Sequence, residues 1–192
     1  TDPEQVEQYY QRMLSECTGM ERLVGDLLTL SKMQNPDFVI EKEVVDVVQI
    51  LHDLARAVSK IAEEKHVTVA FDCDREYCLM YGDYGRLRQM FLVILDNAVK
   101  FSDEGGEVKV QITKGDKLTI RIKDNGIGIA PEELPFVFDK FYKSKLRQNA
   151  KGSGLGLAIA KQIALKHDGT IQINSEPAKG TEFVFTFDYL DE

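Results

Sequence analysis

The sequence predicts a two-layer α/β sandwich, with helices on one face of a mixed sheet and a long helix in front of it. Two observations support this prediction. Three helical segments are interspersed with about five segments of alternating polarity, and several of these strands follow one another directly in the chain. A heptad pattern of apolar residues fills residues 4–33 and ends at Asn35-Pro36. We therefore expect two domains, residues 1–36 and residues 37–192.

The N-terminal helix has an apolar stripe that one helix cannot bury alone. Asp2-Pro3-Glu4 provides the N-cap and the first turn. The heptad positions are spaced alternately by four and three residues: Val6, Tyr10, Met13, Cys17, Met20, Val24 and Leu27. Further leucines widen the stripe towards a helical bundle: Leu14, Leu23, Leu28 and Leu30. The pattern predicts a partner helix that this chain does not obviously contain.

Capping residues, alternating polarity and turn residues predict the other helices and strands. Asp46 and Asp83 are predicted N-caps, of a helix that ends near Lys65 and of a helix over 84–101. Residues 107–113 and 117–123 form a predicted hairpin. The other predictions are an extended segment over 38–45, strands over 67–73, 170–174 and 182–188, a short helix over 131–139, and a last helix over 154–167 that ends at Gly169.

Composition narrows the class of protein. Apolar residues make up 43% of the 192 residues, which is enough for a buried core. The net charge of −8 argues against nucleic acid as the main partner. No apolar run approaches the length of a membrane span. Three cysteines in no metal-binding pattern indicate reduced and mostly packed thiols in a cytosolic protein.

Two segments suggest a nucleotide site. Asn97, Lys100 and Phe101 share one face of the helix over 84–101, where they offer an amide oxygen for Mg²⁺, an ammonium for phosphate and a ring for a base. These three could also be an incidental surface residue, a solvated charge and a core ring.

Asp124 ends a strand beside Gly126 and Gly128, which we expect to open a cavity. There its carboxylate could accept a hydrogen bond from adenine N6. The alternative is an ordinary turn.

A third segment suggests how phosphates would be bound. The stretch KGSGLGLAIAK, residues 151–161, fits neither the P-loop nor the dinucleotide fingerprint. Its glycines instead lead directly into a helix N-terminus, where free N–H groups attract anions. The preceding loop concentrates basic residues and is interpreted as a mobile lid over a polyphosphate, although a solvated surface loop is the commoner case: Lys143, Lys145, Arg147 and Lys151.

These segments resemble the ATP-binding domain of histidine kinases, in the wider ATPase group that includes type II topoisomerases, Hsp90 and MutL proteins. The motifs occur in order: LDNAVKFS at 95–102, DNGIGI at 124–129, FVFDKFYK at 136–143, GSGLGL at 152–157 and GTEF at 180–183. The resemblance implies the Bergerat fold, ATP and Mg²⁺. It implies Asn97 as the Mg²⁺ ligand, Lys100 and Lys143 near phosphate, Phe101 on adenine, and Asp124 on N6. It extends the nucleotide site to Gly126, Gly128, Ile129, Phe141, Gly152, Ser153, Gly154, Leu155, Gly156, Leu157 and Thr181.

The resemblance also implies a place for the first 34 residues. They look like the second helix of the family's dimerisation and phosphotransfer hairpin, without the first helix and its phosphoacceptor histidine. We expect a cytoplasmic catalytic fragment of a two-component sensor histidine kinase, whose whole protein could be membrane-anchored. Its expected partners are its own histidine-bearing helix, a second copy in a homodimer, and a response-regulator receiver domain.

Three departures from the family pattern keep alternatives open. Val93 stands where the family usually has a second asparagine. One polar group is therefore absent from the metal side, which leaves Mg²⁺ affinity and turnover open. Lys143 replaces a more common arginine and cannot make its bidentate contact. His52, His66 and His167 lack the context of a phosphoacceptor. The alternatives are a nucleotide-gated clamp like MutL or Hsp90, whose general-base Glu would stand at position 93, and a degenerate nucleotide-binding module.

Overall fold

Four helices and seven strands make up the described part of the chain. The structure is a computed structural model that describes residues 3–73, 75–144 and 152–190. The helices are α1 (Pro3–Gln34), α2 (Val47–Glu64), α3 (Tyr84–Phe101) and α4 (Gly156–Lys166), with a 3₁₀ turn at Leu134–Phe136. The strands are β1 (Glu43–Asp46), β2 (Thr68–Asp72), β3 (Leu79–Gly82), β4 (Glu107–Lys114), β5 (Leu118–Asp124), β6 (Thr170–Glu176) and β7 (Gly180–Phe187).

The main sheet is mixed, as predicted. Its strand order is β2-β4-β5-β7-β6, and only β2 and β4 pair in parallel. Helices α2, α3 and α4 contact strands of this sheet, while α1 contacts α4. The predicted two-layer α/β sandwich with a long N-terminal helix is confirmed.

Period-two alternation places the buried residues of the sheet on its helix side. On β5 the buried positions are Leu118, Ile120, Ile122 and Asp124, while the positions between them are more exposed. Phe183 of β7 pairs with Ile122, so Thr181 continues the same face beyond that pair. Alternation therefore turns both Asp124 and Thr181 inward, although most of their neighbours on this face are apolar.

Aspartate side chains start α2 and α3, as the sequence predicts. Asp46 Oδ1 accepts from the Val48 N–H at 3.0 Å and from the Cys78 N–H at 3.0 Å. Asp83 Oδ1 accepts from the Arg86 N–H at 3.0 Å. The second bond of Asp46 joins the start of α2 to the chain entering β3, so this cap also fixes the position of a neighbouring strand.

One prediction about local structure was wrong, and one strand was missed. The helix predicted over 131–139 is a 3₁₀ turn of three residues, because Pro135 lacks an N–H and disfavours helical backbone at the residue before it. Strand β3 was not predicted. It pairs with β1 in a separate two-stranded sheet, and four residues are too few for alternation to identify.

The apolar stripe of α1 is mostly exposed. Only Leu30 and Met33, near the end of the helix, are fully buried. Met20, Tyr10 and Met13 are 65%, 61% and 58% exposed, and Cys17 is exposed rather than packed. Cys78 is buried and Cys73 is intermediate. None of the described helices combines the length and the hydrophobicity of a membrane span.

A buried histidine joins α4 to the start of α3. His167 is 4% exposed, its Nδ1 lies 2.7 Å from the Ile163 carbonyl oxygen, and its Nε2 accepts from the Asp83 N–H at 2.9 Å. Nε2 can accept only if the ring is neutral. Burial lowers the pKa of His167 below its ordinary value, which outweighs the opposing effect of the hydrogen bond to Ile163.

We expect the protein to lose stability in acid through this histidine. Since the pKa is lower in the folded than in the unfolded chain, the unfolded chain binds the proton more readily below about pH 6.5. The free energy of unfolding should therefore fall as the pH drops through that value. Urea unfolding at several pH values should show a weaker pH dependence for His167→Gln than for the wild type. The exposed His66, replaced as His66→Asn, is the control and should leave the dependence unchanged.

Candidate functional site

One cavity of about 400 Å³ lies between α3, the glycine-rich segment before α4 and the end of α1. This volume falls in the range of small-molecule sites. Ten of the sixteen residues expected to contact nucleotide line it: Asn97, Lys100, Phe101, Ile129, Lys143, Gly152, Ser153, Gly154, Gly156 and Leu157. The other six are not among its described lining residues: Asp124, Gly126, Gly128, Phe141, Leu155 and Thr181.

Helix α3 supplies the polar wall of the cavity. Gln89, Val93 and Asn97 follow one another at intervals of four, and Asp96 and Lys100 lie beside them. The Lys100 ammonium is 5.5 Å from the centre of the Phe101 ring, a cation–π distance. The opposite face of α3 is buried in the core, so the helix cannot rotate without exposing it.

Asp124 is buried and fixed by hydrogen bonds, although it is not among the described residues that line the cavity. It is 5% exposed, and its Oδ1 accepts from the N–H groups of Gly126, at 3.0 Å, and Thr181, at 3.2 Å. Thr181 Oγ1 lies 2.9 Å from Ser175 Oγ, which in turn accepts from the Ile129 N–H at 2.9 Å. Ser175, which the sequence analysis missed, thus connects Asp124 and Thr181 to Ile129 in the cavity wall.

The glycines of DNGIGI have a different role from the one expected. A side chain at Gly126 would collide with the Phe101 carbonyl, and one at Gly128, where φ is +68°, would collide with the Glu176 carbonyl. These two glycines allow backbone segments to pack closely, instead of opening the cavity themselves. The segment is consequently fixed against both the end of α3 and the turn after β6.

The glycines of GSGLGL differ from one another. Gly152 faces open space, whereas a side chain at Gly154, where φ is +72°, would meet the backbone of Phe141. Phe141 itself has a φ of +62°, an unusual value for a residue with a side chain. A side chain at Gly156 would lie 3.0 Å from Val93 Cγ1. The start of α4 therefore packs directly on α3.

Phe141 and Gly154 bring together the two ends of the basic loop. Lys143 lines the cavity, but Lys145, Arg147 and Lys151 lie outside the described residues. Ser144 Oγ donates to the buried Glu133 at 2.7 Å. Partial burial and a hydrogen bond with Glu133 raise the pKa of Tyr142, which also lines the cavity. Glu133, another residue the sequence analysis missed, thus anchors the start of the loop.

Helix α1 contributes to the same cavity. Arg22 and Asp26 line it, and Ser153 Oγ donates to Asp26 Oδ2 at 2.9 Å while accepting from the Leu155 N–H at 3.2 Å. No local pattern could have identified these two residues, because only the docking of α1 brings them to the cavity. Gln89 and Asp96 could have been found from helical spacing, since Asp96 lies four residues before Lys100 and Gln89 lies two turns before Asn97.

The donor set of the cavity suits Mg²⁺ when phosphate oxygens complete it. Asn97, Gln89 and Asp96 provide amide and carboxylate oxygens from one face of α3, and Mg²⁺ prefers oxygen ligands. Among the described residues, no group of three His, Cys, Asp or Glu side chains could hold a metal. Mg²⁺ usually keeps phosphate and water ligands beside its protein ligands, so the oxygens of α3 would supply only part of its coordination.

The chain is similar to proteins of known class. Residues 82–191, more than half of the chain, match the family described as histidine kinase-, DNA gyrase B-, and HSP90-like ATPase. The chain is 30% identical over 188 residues to the sensor-like histidine kinase SenX3 of Mycolicibacterium smegmatis, and the match covers 96% of this chain and 49% of SenX3. The chain therefore spans about half the length of that relative.

Two solved structures are similar over nearly the whole chain. Full-length ShkA in complex with AMPPNP has a TM-score of 0.82 and 27% identity, with 96% of this chain and 39% of ShkA covered. The histidine kinase ThkA in complex with the response regulator TrrA has a TM-score of 0.77 and covers 97% of this chain and 52% of ThkA. At 21% identity, the second likeness supports the fold alone. The chain belongs to the histidine kinase-, DNA gyrase B-, and HSP90-like ATPase family.

Proposed function

We propose that this chain binds Mg·ATP in the α3–α4 cavity and, in the whole protein, transfers the γ-phosphoryl group to a histidine on a hairpin helix outside this chain. The observation that carries the proposal is the position of Asn97, Lys100 and Phe101 on one wall of a cavity. The glycine-rich start of α4 forms the facing part of its lining. A further transfer to an aspartate of a response-regulator receiver domain completes the proposed pathway.

Each end of the nucleotide has a matching part of the site. The adenine would lie by Phe101 and Ile129, with its N6 amino group towards Asp124. The polyphosphate would lie along Gly152–Gly156, where backbone N–H groups and the α4 N-terminus favour anions. Lys100 and Lys143 would neutralise its charge, and Asn97 would hold Mg²⁺. The metal supplies further charge neutralisation in phosphoryl transfer, which depends mainly on positioning and electrostatics.

The whole protein is proposed to act as a homodimer. The exposed stripe on α1 has the width expected of a helical bundle, and Tyr10, Met13 and Met20 are each more than half exposed. A second copy and a hairpin helix of the whole protein would cover it. We infer a cytoplasmic position for this part of the protein and a response-regulator receiver domain as its further partner.

The nucleotide-gated clamp is less well supported than the kinase. A hydrolytic clamp requires a carboxylate at position 93 to activate water, and Val93 packs against Gly156 instead. The degenerate module differs from the kinase only in turnover, and the labelling experiment below distinguishes them.

Asp124→Asn should strongly weaken nucleotide binding without unfolding the protein. The asparagine carbonyl can keep the bonds from Gly126 and Thr181, but its NH2 group then replaces the second carboxylate oxygen. That group donates and cannot accept a hydrogen bond from adenine N6. We expect the Kd for a non-hydrolysable ATP analogue, measured by calorimetry with Mg²⁺, to rise roughly tenfold or more. Asp116→Asn, in the exposed β4–β5 turn, is the control. A Kd for Asp124→Asn within about twofold of wild type would remove Asp124 from the site.

This chain alone should not phosphorylate itself. His52, although exposed, stacks on Phe71 at 4.3 Å, His66 is exposed at a helix end, and His167 is buried, and none of the three lines the cavity. With γ-labelled ATP, the whole protein should acquire an acid-labile, alkali-stable label, and this chain should acquire none. A label on any of these three histidines would contradict the expectation. Nucleotide binding without labelling of the whole protein would favour the degenerate module.

Asp26→Asn should tighten nucleotide binding. The Asp26 carboxylate lies beside the loop proposed to hold phosphates, and its negative charge opposes theirs. Asparagine keeps an acceptor for Ser153 but removes the charge, so we expect Kd to fall roughly threefold at low salt and less at high salt. Glu21→Gln, which removes an exposed charge from the same helix, is the matched control. An unchanged or higher Kd for Asp26→Asn would contradict this electrostatic argument.

A further inference from the structure

A lysine at the end of α2 donates hydrogen bonds to carbonyl groups at the C-terminal end of α3. The last carbonyl groups of a helix have no partner within the helix, so they need one from elsewhere. Lys65 Nζ donates to the carbonyl oxygens of Val99, at 3.2 Å, Lys100, at 2.7 Å, and Ser102, at 2.8 Å. An ammonium has three N–H donors, and each has a carbonyl partner here.

The remaining carbonyls at this end are satisfied separately. The Ala98 oxygen accepts from the Ser102 N–H at 3.0 Å and from Ser102 Oγ at 2.7 Å. The Phe101 oxygen accepts from the Ile127 N–H at 3.2 Å. Lys65 therefore accounts for the carbonyls on either side of Phe101, at Lys100 and Ser102. Its positive charge also lies at the negative end of the helix macrodipole.

Lys65 reaches this position from the end of α2. It is the C-cap residue of α2, where its own N–H bonds to the Ala62 and Glu63 carbonyls, and it is half-buried. It is not among the described residues that line the cavity. Any effect of Lys65 on a ligand must therefore act through the backbone that it holds.

We propose that Lys65 is a positioning residue for the nucleotide. By holding the carbonyls of Val99, Lys100 and Ser102, it fixes the backbone from which the Lys100 and Phe101 side chains extend into the cavity. The same backbone lies against Gly126, so Lys65 also sets the contact between α3 and the Asp124 segment. Preorganised side chains bind a ligand more tightly because less order must be created on binding. This inference rests on the proposed function, since it concerns the same site.

The test compares nucleotide affinity with stability. Lys65→Met keeps the aliphatic stem and removes all three donors, whereas Lys65→Arg keeps a charged donor group. We expect the Kd for the ATP analogue with Mg²⁺ to rise roughly fivefold to tenfold in Lys65→Met, and to recover at least partly in Lys65→Arg. Affinities are measured by calorimetry at a temperature where circular dichroism shows each variant folded. Lys117→Met, at a surface ion pair with Asp188, is the matched control and should bind as the wild type does.

The outcomes separate the positioning role from a purely structural one. A lower melting temperature with an unchanged Kd in Lys65→Met would overturn the proposal and leave Lys65 as a helix cap only. Wild-type chain that fails to bind nucleotide would instead overturn the proposed function itself.

A second measurement needs no variant and applies if Lys65→Met does not fold. Coupling between two sites is reciprocal, so nucleotide binding should strengthen the contacts of Lys65 as much as those contacts favour the nucleotide. We expect the Lys65 ammonium protons of the wild type, followed by NMR, to exchange more slowly with water when the ATP analogue and Mg²⁺ are bound. Equal exchange rates in the free and bound states would contradict the proposal.

Discussion

Helix α3 carries an apolar face and a polar face along the same eighteen residues, and the site depends on how firmly the apolar face is packed. Leu87, Met90, Phe91, Ile94 and Leu95 are completely buried, and Phe91 makes an edge-to-face contact with Phe185 of β7 at 5.3 Å. Because a well-packed core tolerates little rotation, this packing determines the direction of Asn97 and Lys100. The core thus orients the polar wall of the cavity.

Close backbone contacts at three glycines fix the loops around the cavity against α3 and against each other. Gly126 lies against the end of α3, Gly128 lies against the turn after β6, and Gly154 lies against Phe141. A Cβ atom at any of these positions would separate two segments, and at Gly128 and Gly154 the positive φ would add backbone strain. The glycine-rich composition of the site therefore reflects contacts between protein segments as well as access for a ligand.

Charge in the cavity is mixed. Lys100 and Lys143 face it together with Asp96 and Asp26, and Asp26 belongs to a different part of the chain from the rest. Its hydrogen bond to Ser153 joins α1 to the segment before α4, and Lys140 donates to Gln34 at 2.8 Å near the end of α1. Any movement of α1 relative to the sandwich must break these two bonds. The long helix is thus connected to the cavity by these polar contacts and to the core by the buried Leu30 and Met33.

Local sequence patterns specify the elements with long periodicity and the residue types of the site. The boundaries of α3, its Asp83 cap, the β4–β5 hairpin and the exposed stripe of α1 all follow from local spacing and capping. Asn97, Lys100 and Phe101 were identifiable because a helix brings positions three and four apart onto one face. The tertiary structure alone decided the contacts between segments distant in the chain. In the folded protein, Arg22 and Asp26 lie at the cavity, and Lys65 lies at the end of α3. Gly126 and Gly128 lie where two backbone segments pack closely together. These contacts depend on how whole elements dock, a property that no local period encodes, because docking is set by the shapes of two surfaces together.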